Sequence, residues 1–259
     1  MSRTSTLKKD VKDPLILAPS IEVEQLDHAL AQQGYAVMLP SQVARWAACD
    51  LAALQALIPA WDDMPLDNYL KDGGHYRRRR HSCFEFKDQA LTQVPHRAHW
   101  QSLDYNALHG GMQRWFEPIS TAVVNSLAWR QVLSAMARTC DGLRGSVNGK
   151  WCIEAHQFRI DTSEGIGRPT PEGAHRDGVD FVAVFLLNRY NIKGGETRVF
   201  DAHGPQGERF TLTEPWSLLF LADARVIHES TPIQPLQAGG YRDTLVLTCR
   251  ANVFQTEQT

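Results

Sequence analysis

Long apolar runs are missing from this chain. No stretch of its 259 residues approaches the ~20 consecutive apolar residues that a membrane-spanning helix requires. The opening M-S-R-T-S-T-L-K-K-D-V-K-D lacks the apolar core of a secretion signal, so a cytoplasmic protein with no membrane partner is expected. Paired cysteine spacing is missing too. Cys49, Cys83, Cys140, Cys152 and Cys249 are an odd, scattered set without C-x-x-C. That argues against a disulfide framework or a structural zinc site and suits small buried side chains in a reducing compartment. The formal charge of −2 gives no electrostatic reason to expect nucleic acid as a partner. Internal repeats and low-complexity tracts are also absent. What remains is a globular composition, 43% hydrophobic and 22% charged, at a length that suits one large domain.

Residues 1–19 are polar, contain Pro14 and Pro19, and read as a flexible N-terminal arm. Residues 20–259 read as a single domain, with a helical half over 20–145 bracing a β-rich core over 150–255. Ser20 can cap a helix through Leu30 that Gly34 ends, and a short strand is expected over Tyr35 to Leu39. A helical stretch follows from Ser41 to Ile58, where Pro59 breaks it. His75 to Phe86 alternates like a strand and carries Arg77, Arg78, Arg79 and Arg80. Alternation sends Arg77 and Arg79 to one face and Arg78 and Arg80 to the other, so no continuous basic stripe forms. One pair is expected on the surface and the other pointing inward, where it can meet a substrate carboxylate. Ala107 to Leu143 turns helical, and from Trp151 onward short strands recur, over 151–160, 181–188, 195–200, 209–212, 217–221, 224–228 and 243–250.

The chemistry concentrates in Pro171 to Phe181, P-E-G-A-H-R-D-G-V-D-F. In a strand, residues two apart face the same way, so His175 and Asp177 can bind one ion. His228 lies 51 positions beyond Asp177, far enough for several antiparallel strands to return the chain to the site. Two histidines and one carboxylate on one face of an octahedral ion leave positions open, as non-haem Fe(II) oxygenases require. Arg242 follows 14 positions after His228, with Thr244 two further on. An arginine and a hydroxyl so spaced on a strand can grip a carboxylate from one side.

The order H-x-D, distal His, R-x-S/T resembles the signature of the 2-oxoglutarate-dependent Fe(II) dioxygenases. Tyr76 to Arg80, Asn106 to Pro118, His156 to Ile160, Gly194-Gly195-Glu196 and Arg242 to Leu245 add a resemblance to the bacterial free amino-acid hydroxylase branch, the L-isoleucine dioxygenase type, over roughly Gly34 to Phe254. The resemblance implies a double-stranded β-helix, a cupin-like jelly roll that is mainly β with flanking helices. It also implies Fe(II) held by His175, Asp177 and His228, the distal carboxylate of 2-oxoglutarate held by Arg242 and Thr244, and O2 as oxidant. Arg225 and Arg250, on neighbouring expected strands, are rivals of Arg242. Asp223 and Glu229 are candidates for orienting the histidine rings.

The leading functional expectation is hydroxylation of a free aliphatic L-amino acid or a related small metabolite. Arg159, on the expected strand before the motif, is the first candidate for a substrate carboxylate, and Glu172 is the candidate for a substrate ammonium group; structural ion pairing of Arg159 with Asp161 or Glu154 is the competing reading. Desaturation, sulfoxidation or cyclisation with the same cofactors, a protein hydroxylase, and a non-catalytic metal-binding jelly roll that serves as a sensor or interaction module are the alternatives. The retained R-D-T argues against the last of these. Nothing in the sequence sets an oligomeric state.

Overall fold

The computed structural model describes residues 15–146 and 148–256. In chain order the strands are β1 (Tyr35–Met38), β2 (Arg77–Lys87), β3 (Ala90–Gln93), β4 (Lys150–Asp161), β5 (Phe181–Tyr190), β6 (Ile192–Gly194), β7 (Thr197–Asp201), β8 (Gly207–Phe210), β9 (Leu218–Ala222), β10 (Val226–Ser230), β11 (Ile233–Pro235) and β12 (Tyr241–Ala251). The helices are α1 (Leu26–Gln33), α2 (Pro40–Ala47), α3 (Leu51–Gln55), α4 (Thr121–Val124) and α5 (Leu127–Arg144). A seven-stranded sheet runs β1-β9-β5-β12-β4-β2-β3, and smaller sheets of β10-β7-β8 and β11-β6 complete the architecture. All pairings between these strands are antiparallel. This is the jelly roll with flanking helices that the sequence led us to expect.

Period-2 alternation divides the large sheet into two faces. The outer face presents Phe84, Trp151, Phe181, Phe185, Phe220, Leu245 and Leu247, and these pack in one cluster with Trp129, Leu133 and Met136 of α5. Ser126 caps α5 by accepting a hydrogen bond from the Trp129 amide at 3.2 Å, and Gly145 follows its last turn at φ 71°. The inner face divides again. Under β5 and β9 it is apolar, with Val182, Leu186, Leu219 and Leu221 packed on Val199, Phe210 and Val226 of the small sheet. Under β12, β4 and β2 it is polar, and the register aligns Arg242, Ile160 and Arg77 in one row and Thr244, Phe158 and Arg79 in the next. That polar patch is where the site forms.

Residues 1–14 of the expected arm lie outside the described residues; of the rest, Leu17 bridges Thr211, and Ser20 just beyond the arm bridges Val37. Two expectations change. The Ser41 to Ile58 helix is split: Ala48 sits at φ 50°, and Asp50 starts a new helix by accepting from the Ala52 amide at 2.9 Å. The helical reading of Ala107 to Leu143 holds only from Thr121 onward. Residues 95–116 form an irregular loop that closes on itself through paired backbone hydrogen bonds between His99 and Arg114. Gly110 allows this closure, since a Cβ there would lie 2.5 Å from the carbonyl oxygens of Ser102 and Asn106. The loop lies over β2 and β4, so the N-terminal half lines the site as well as bracing the sheet.

Candidate functional site

His175 is held by an antiparallel bridge to His228 on β10: each amide donates to the other's carbonyl, at 3.0 and 2.9 Å. The bridge sets the two imidazoles side by side, with ring centroids 4.7 Å apart. A carbonyl only accepts, so the 2.9 Å contact of His175 Nδ1 with Gly173 O puts the proton on Nδ1 and leaves Nε2 to the site. Asp177 Oδ2 lies 3.8 Å from His228 Nε2, and one ligating atom each from His175, Asp177 and His228 falls within 4.8 Å of the others. A spacing of 3.8 Å is too long for a hydrogen bond, so the two side chains converge on one space without pairing with each other. Glu172 Oε1 is 3.4 Å from His175 Nε2, at the edge of the same centre.

The electrostatics of this cluster call for a cation. Burial pushes the Asp177 carboxyl up, against the pull of His175. Burial alone would depress His175, but the Asp177 and Glu172 carboxylates outweigh it and raise the group. His228 is pushed well down by burial and then by His175. A divalent ion would supply the positive charge that the buried carboxylate lacks, and two imidazole nitrogens with one carboxylate are the donors iron(II) takes in open facial sites. The residues fit the metal.

Asp177 is fixed from three sides. Gln101 Nε2 donates to its Oδ1 at 3.3 Å, Gln255 Nε2 donates to its carbonyl at 3.1 Å, and the Asp223 carboxylate accepts the amides of Asp177, Gly178 and Val179 at 2.9, 2.8 and 3.1 Å. Asp223 thus orients the backbone of the motif and not a histidine ring. Glu229 pairs with Arg198 at 3.1 Å. The orienting partner of His175 is the Gly173 carbonyl, a backbone atom that carries no side-chain signal in the sequence. An Asp223→Asn protein has one oxygen for three donors, so its Mn(II) affinity is expected to fall about 10- to 100-fold. Calorimetric titration with Mn(II) measures this, and an unchanged affinity would contradict the orienting role.

Arg242 and Thr244 line the cavity beside the triad, on β12. Arg242 is 4% exposed, and among the described residues no carboxylate pairs with it. Burial, and then the neighbouring Arg189, depresses its guanidinium to about 10. Gly195 at φ 65° packs against both arginines: a Cβ there would lie 3.0 Å from Arg189 Nη1 and 3.5 Å from Arg242 Cδ. Gly194-Gly195 therefore serves close approach to the arginines as well as turning. The rival Arg225 is occupied elsewhere, donating to the carbonyls of Leu30, Ala31 and Gln32 at the end of α1, and Arg250 does not line the cavity.

Arg159 is placed differently from expectation. Its Nε and Nη2 grip Asp243 at 2.7 and 2.8 Å, Nη2 also reaches Asp62 at 2.9 Å, and the guanidinium lies 4.2 Å over the Tyr241 ring. The cavity takes the other face of β4, with His156, Phe158 and Ile160. Alternation assigned both faces correctly, but the apolar residues, not the arginine, turn inward. Of the arginine run, Arg77 and Arg79 are buried and line the cavity, while Arg78 and Arg80 face outward. Glu172 lines it as expected.

A second buried cluster of His81, His99, Glu154 and His156 adjoins the cavity; its members come from three separate segments, so no motif announces it. His81 Nε2 and His99 Nδ1 lie 2.9 and 2.7 Å from Glu154 Oε2, and Arg79 Nη2 donates to His156 Nδ1 at 2.9 Å. Burial depresses all three histidines, His99 to about 3, against the pull of Glu154 on His81 and His99. The fold therefore keeps them neutral while the unfolded chain takes up protons below about pH 6.5, so stability is lost as pH falls through that value. Each such group contributes a slope of about 1.4 kcal/mol per pH unit. Asp223, raised to about 6 by burial and Asp177, opposes the trend at lower pH, so melting at pH 7.5 and 6.2 is the informative pair. His81→Phe is expected to shrink the loss seen in wild type, and equal losses in the two proteins would contradict neutral burial.

Residues 58–248 match the family model described as 2OG-Fe dioxygenase, and the chain belongs to that family. It is a 2-oxoglutarate-dependent dioxygenase, an oxidoreductase whose family uses Fe(II), 2-oxoglutarate and O2. A crystal structure of a bsmA homolog from Methylobium petroleophilum PM1 is 50% identical, covering 93% of this chain and 97% of that one, with TM-score 0.88. IDO from Bacillus thuringiensis (17% identity, 90% of this chain, 100% of that one, TM-score 0.74) shares the fold. So does the Fe(II)/(alpha)ketoglutarate-dependent dioxygenase TqaL (18%, 90% and 88%, TM-score 0.70). No curated protein matches the chain. Among the described residues, no helix is long and apolar enough to cross a membrane.

Proposed function

We propose that the protein hydroxylates a free aliphatic L-amino acid or a closely related small metabolite, with iron held by His175, Asp177 and His228 and the distal carboxylate of 2-oxoglutarate held by Arg242 and Thr244. When bound, iron and 2-oxoglutarate supply the oxidising chemistry: O2 is consumed, 2-oxoglutarate becomes succinate and CO2, and one oxygen atom enters a substrate C–H bond. The protein's own residues decide which bond is nearest. Arg242 anchors the co-substrate from β12, leaving the β2 and β4 side of the cavity for the substrate. Asp223, Gln101 and Gln255 keep Asp177 in place while the substrate enters.

The observation that carries this reading is the charge pattern of a small cavity, about 120 Å³, which joins the Glu172 carboxylate on the triad side to buried guanidiniums on the β2 side. Opposite charges across a small space complement a zwitterion. Glu172 takes the ammonium group. The resemblance of the sequence to the free amino-acid hydroxylase branch supports the same substrate class. The test is aerobic turnover with Fe(II), 2-oxoglutarate and a panel of L-amino acids while succinate is counted. Succinate rising with one aliphatic amino acid, alongside a product 16 mass units heavier, is the expected result. A panel in which none raises succinate above the amino-acid-free rate would overturn the substrate class.

A further inference from the structure

We infer that Arg79 and Arg114 form the binding site for the substrate's carboxylate, in the lobe between β2, β4 and the 95–116 loop. Both are almost fully buried, at 4% and 1% exposure, and the Nε of each is buried without a partner. Of the carboxylates that act on them, Asp67 accepts from Arg77 Nε at 2.7 Å and Glu154 accepts from His81 and His99, while Glu172 and Asp177 lie toward the triad. Among the described residues neither Arg79 nor Arg114 has an ion pair. Burial depresses both; Arg114 acts next on Arg79, and Arg77 next on Arg114, which is brought to about 10. Like charges buried together, with carboxylates only at a distance and none in direct contact among the described residues, are costly unless an anion completes the set, and the guanidinium fork matches a carboxylate.

The lobe is tied to the metal centre. Arg114 Nη2 donates to Gln101 Oε1 at 3.0 Å, and Gln101 Nε2 donates to Asp177 Oδ1 at 3.3 Å. A carboxylate on Arg114 and Arg79 is therefore linked through one side chain to an iron ligand, with Glu172 lining the same cavity to receive the ammonium group. Arg79 is held rigidly without being neutralised. Its guanidinium lies between the rings of Phe116 and Phe158, at 4.1 and 4.6 Å, and donates to His156 Nδ1. That hydrogen bond places the His156 proton on Nε2, which faces Glu154 Oε2 at 4.0 Å.

The cluster of His81, His99, Glu154 and His156 could be taken for a second metal site, since its ligating atoms fall within 4.8 Å of one another. His81 and His99 both donate to one Glu154 oxygen, at 2.9 and 2.7 Å, and His156 Nδ1 accepts from Arg79, so the polar atoms of this cluster are paired with neighbouring side chains. His156 is thus a positioning residue for Arg79, and Glu154 balances charge from a distance.

The inference rests on the reading that an amino-acid-like molecule occupies this cavity, and the experiment separates the two. Mn(II)-loaded protein saturated with 2-oxoglutarate is titrated calorimetrically with L-leucine, L-isoleucine, L-leucinamide and 4-methylpentanoate, in wild type, Arg79→Gln, Arg114→Gln and Arg79→Lys. The amide is expected to bind wild type about 10- to 100-fold more weakly than the amino acid, and Arg79→Gln and Arg114→Gln to bring the amino acid to the level of the amide. Affinity for 2-oxoglutarate is expected to stay within about twofold, on the scale where tenfold is 1.4 kcal/mol. Arg79→Lys keeps the charge without the fork and is expected to fall between; it carries the test if Arg79→Gln does not fold by circular dichroism. Amino acids that bind the variants as tightly as wild type would overturn the carboxylate site and leave the substrate class standing. Arginine-dependent binding of 4-methylpentanoate without binding of either amino acid would support the site and sink the free amino-acid reading. Absence of binding by every carboxylate in the set would overturn the site.

Discussion

Asp177→Ala is expected to abolish turnover, leaving less than about one hundredth of wild-type succinate formation, because losing a ligand costs more than the 10- to 100-fold typical of losing a residue that merely orients one. The carboxylate is the only anionic member of the triad, with Glu172 Oε1 3.4 Å from His175 Nε2 at its edge. Its removal also frees Gln101, which would lose the acceptor that links the 95–116 loop to the metal centre. Two readouts separate loss of metal from loss of fold: Mn(II) affinity by calorimetry and melting temperature of the metal-free protein. The expected pattern is a lost Mn(II) isotherm with a cooperative melt retained. Wild-type turnover in Asp177→Ala would mean that iron is held elsewhere.

Arg242→Met is expected to weaken 2-oxoglutarate binding by about 10- to 100-fold while metal affinity is kept, since a bidentate, charge-assisted pair is lost. The same substitution has an unusual expected effect on stability. A buried arginine without a carboxylate partner, depressed to about 10 by burial and by Arg189, stores a desolvation cost in the empty protein. Replacement by an apolar side chain of similar length is therefore expected to leave the melting temperature of the co-substrate-free protein unchanged or higher. Arg242→Lys keeps the charge but loses the fork, so its 2-oxoglutarate affinity is expected between wild type and Arg242→Met. Unchanged 2-oxoglutarate affinity in Arg242→Met would remove Arg242 from the site and direct attention to Arg189, its neighbour across the register.

That His175, Asp177 and His228 meet, with Arg242 lining the same cavity, was legible in the sequence because a shared site constrains the spacing. His175 and Asp177 must share a face, and Arg242 and Thr244 must project together from one strand. Arg77 and Arg79 were legible as a pair for the same reason. Which face of β4 turns inward was not: His156, Phe158 and Ile160 alternate with Gln157 and Arg159, both faces carry polar groups, and the choice was made by Asp243 and Asp62 gripping Arg159 outside. Asn106 to Pro118 carries part of the family resemblance, but the loop conformation of 95–116 was not legible, because Met112, Trp115 and Phe116 mimic helical spacing whereas Gly110, Asn106 and the His99 and Arg114 bridge fold the segment back on itself. Arg114 and Gln101 enter the site only through that loop. The cluster around Glu154 joins residues that are 55 or more positions apart in the case of His81 and His99, and only tertiary structure brings them together.

The most direct measurement is an anaerobic titration of Fe(II) and 2-oxoglutarate into the metal-free protein, followed by absorbance and carried out in parallel on wild type, Asp177→Ala and Arg242→Met. A charge-transfer band that develops in wild type only when both components are present, is absent in Asp177→Ala, and requires about 10- to 100-fold more 2-oxoglutarate in Arg242→Met is the expected result. No band in wild type, or a band that survives in Asp177→Ala, would contradict an iron and 2-oxoglutarate site built on His175, Asp177, His228 and Arg242.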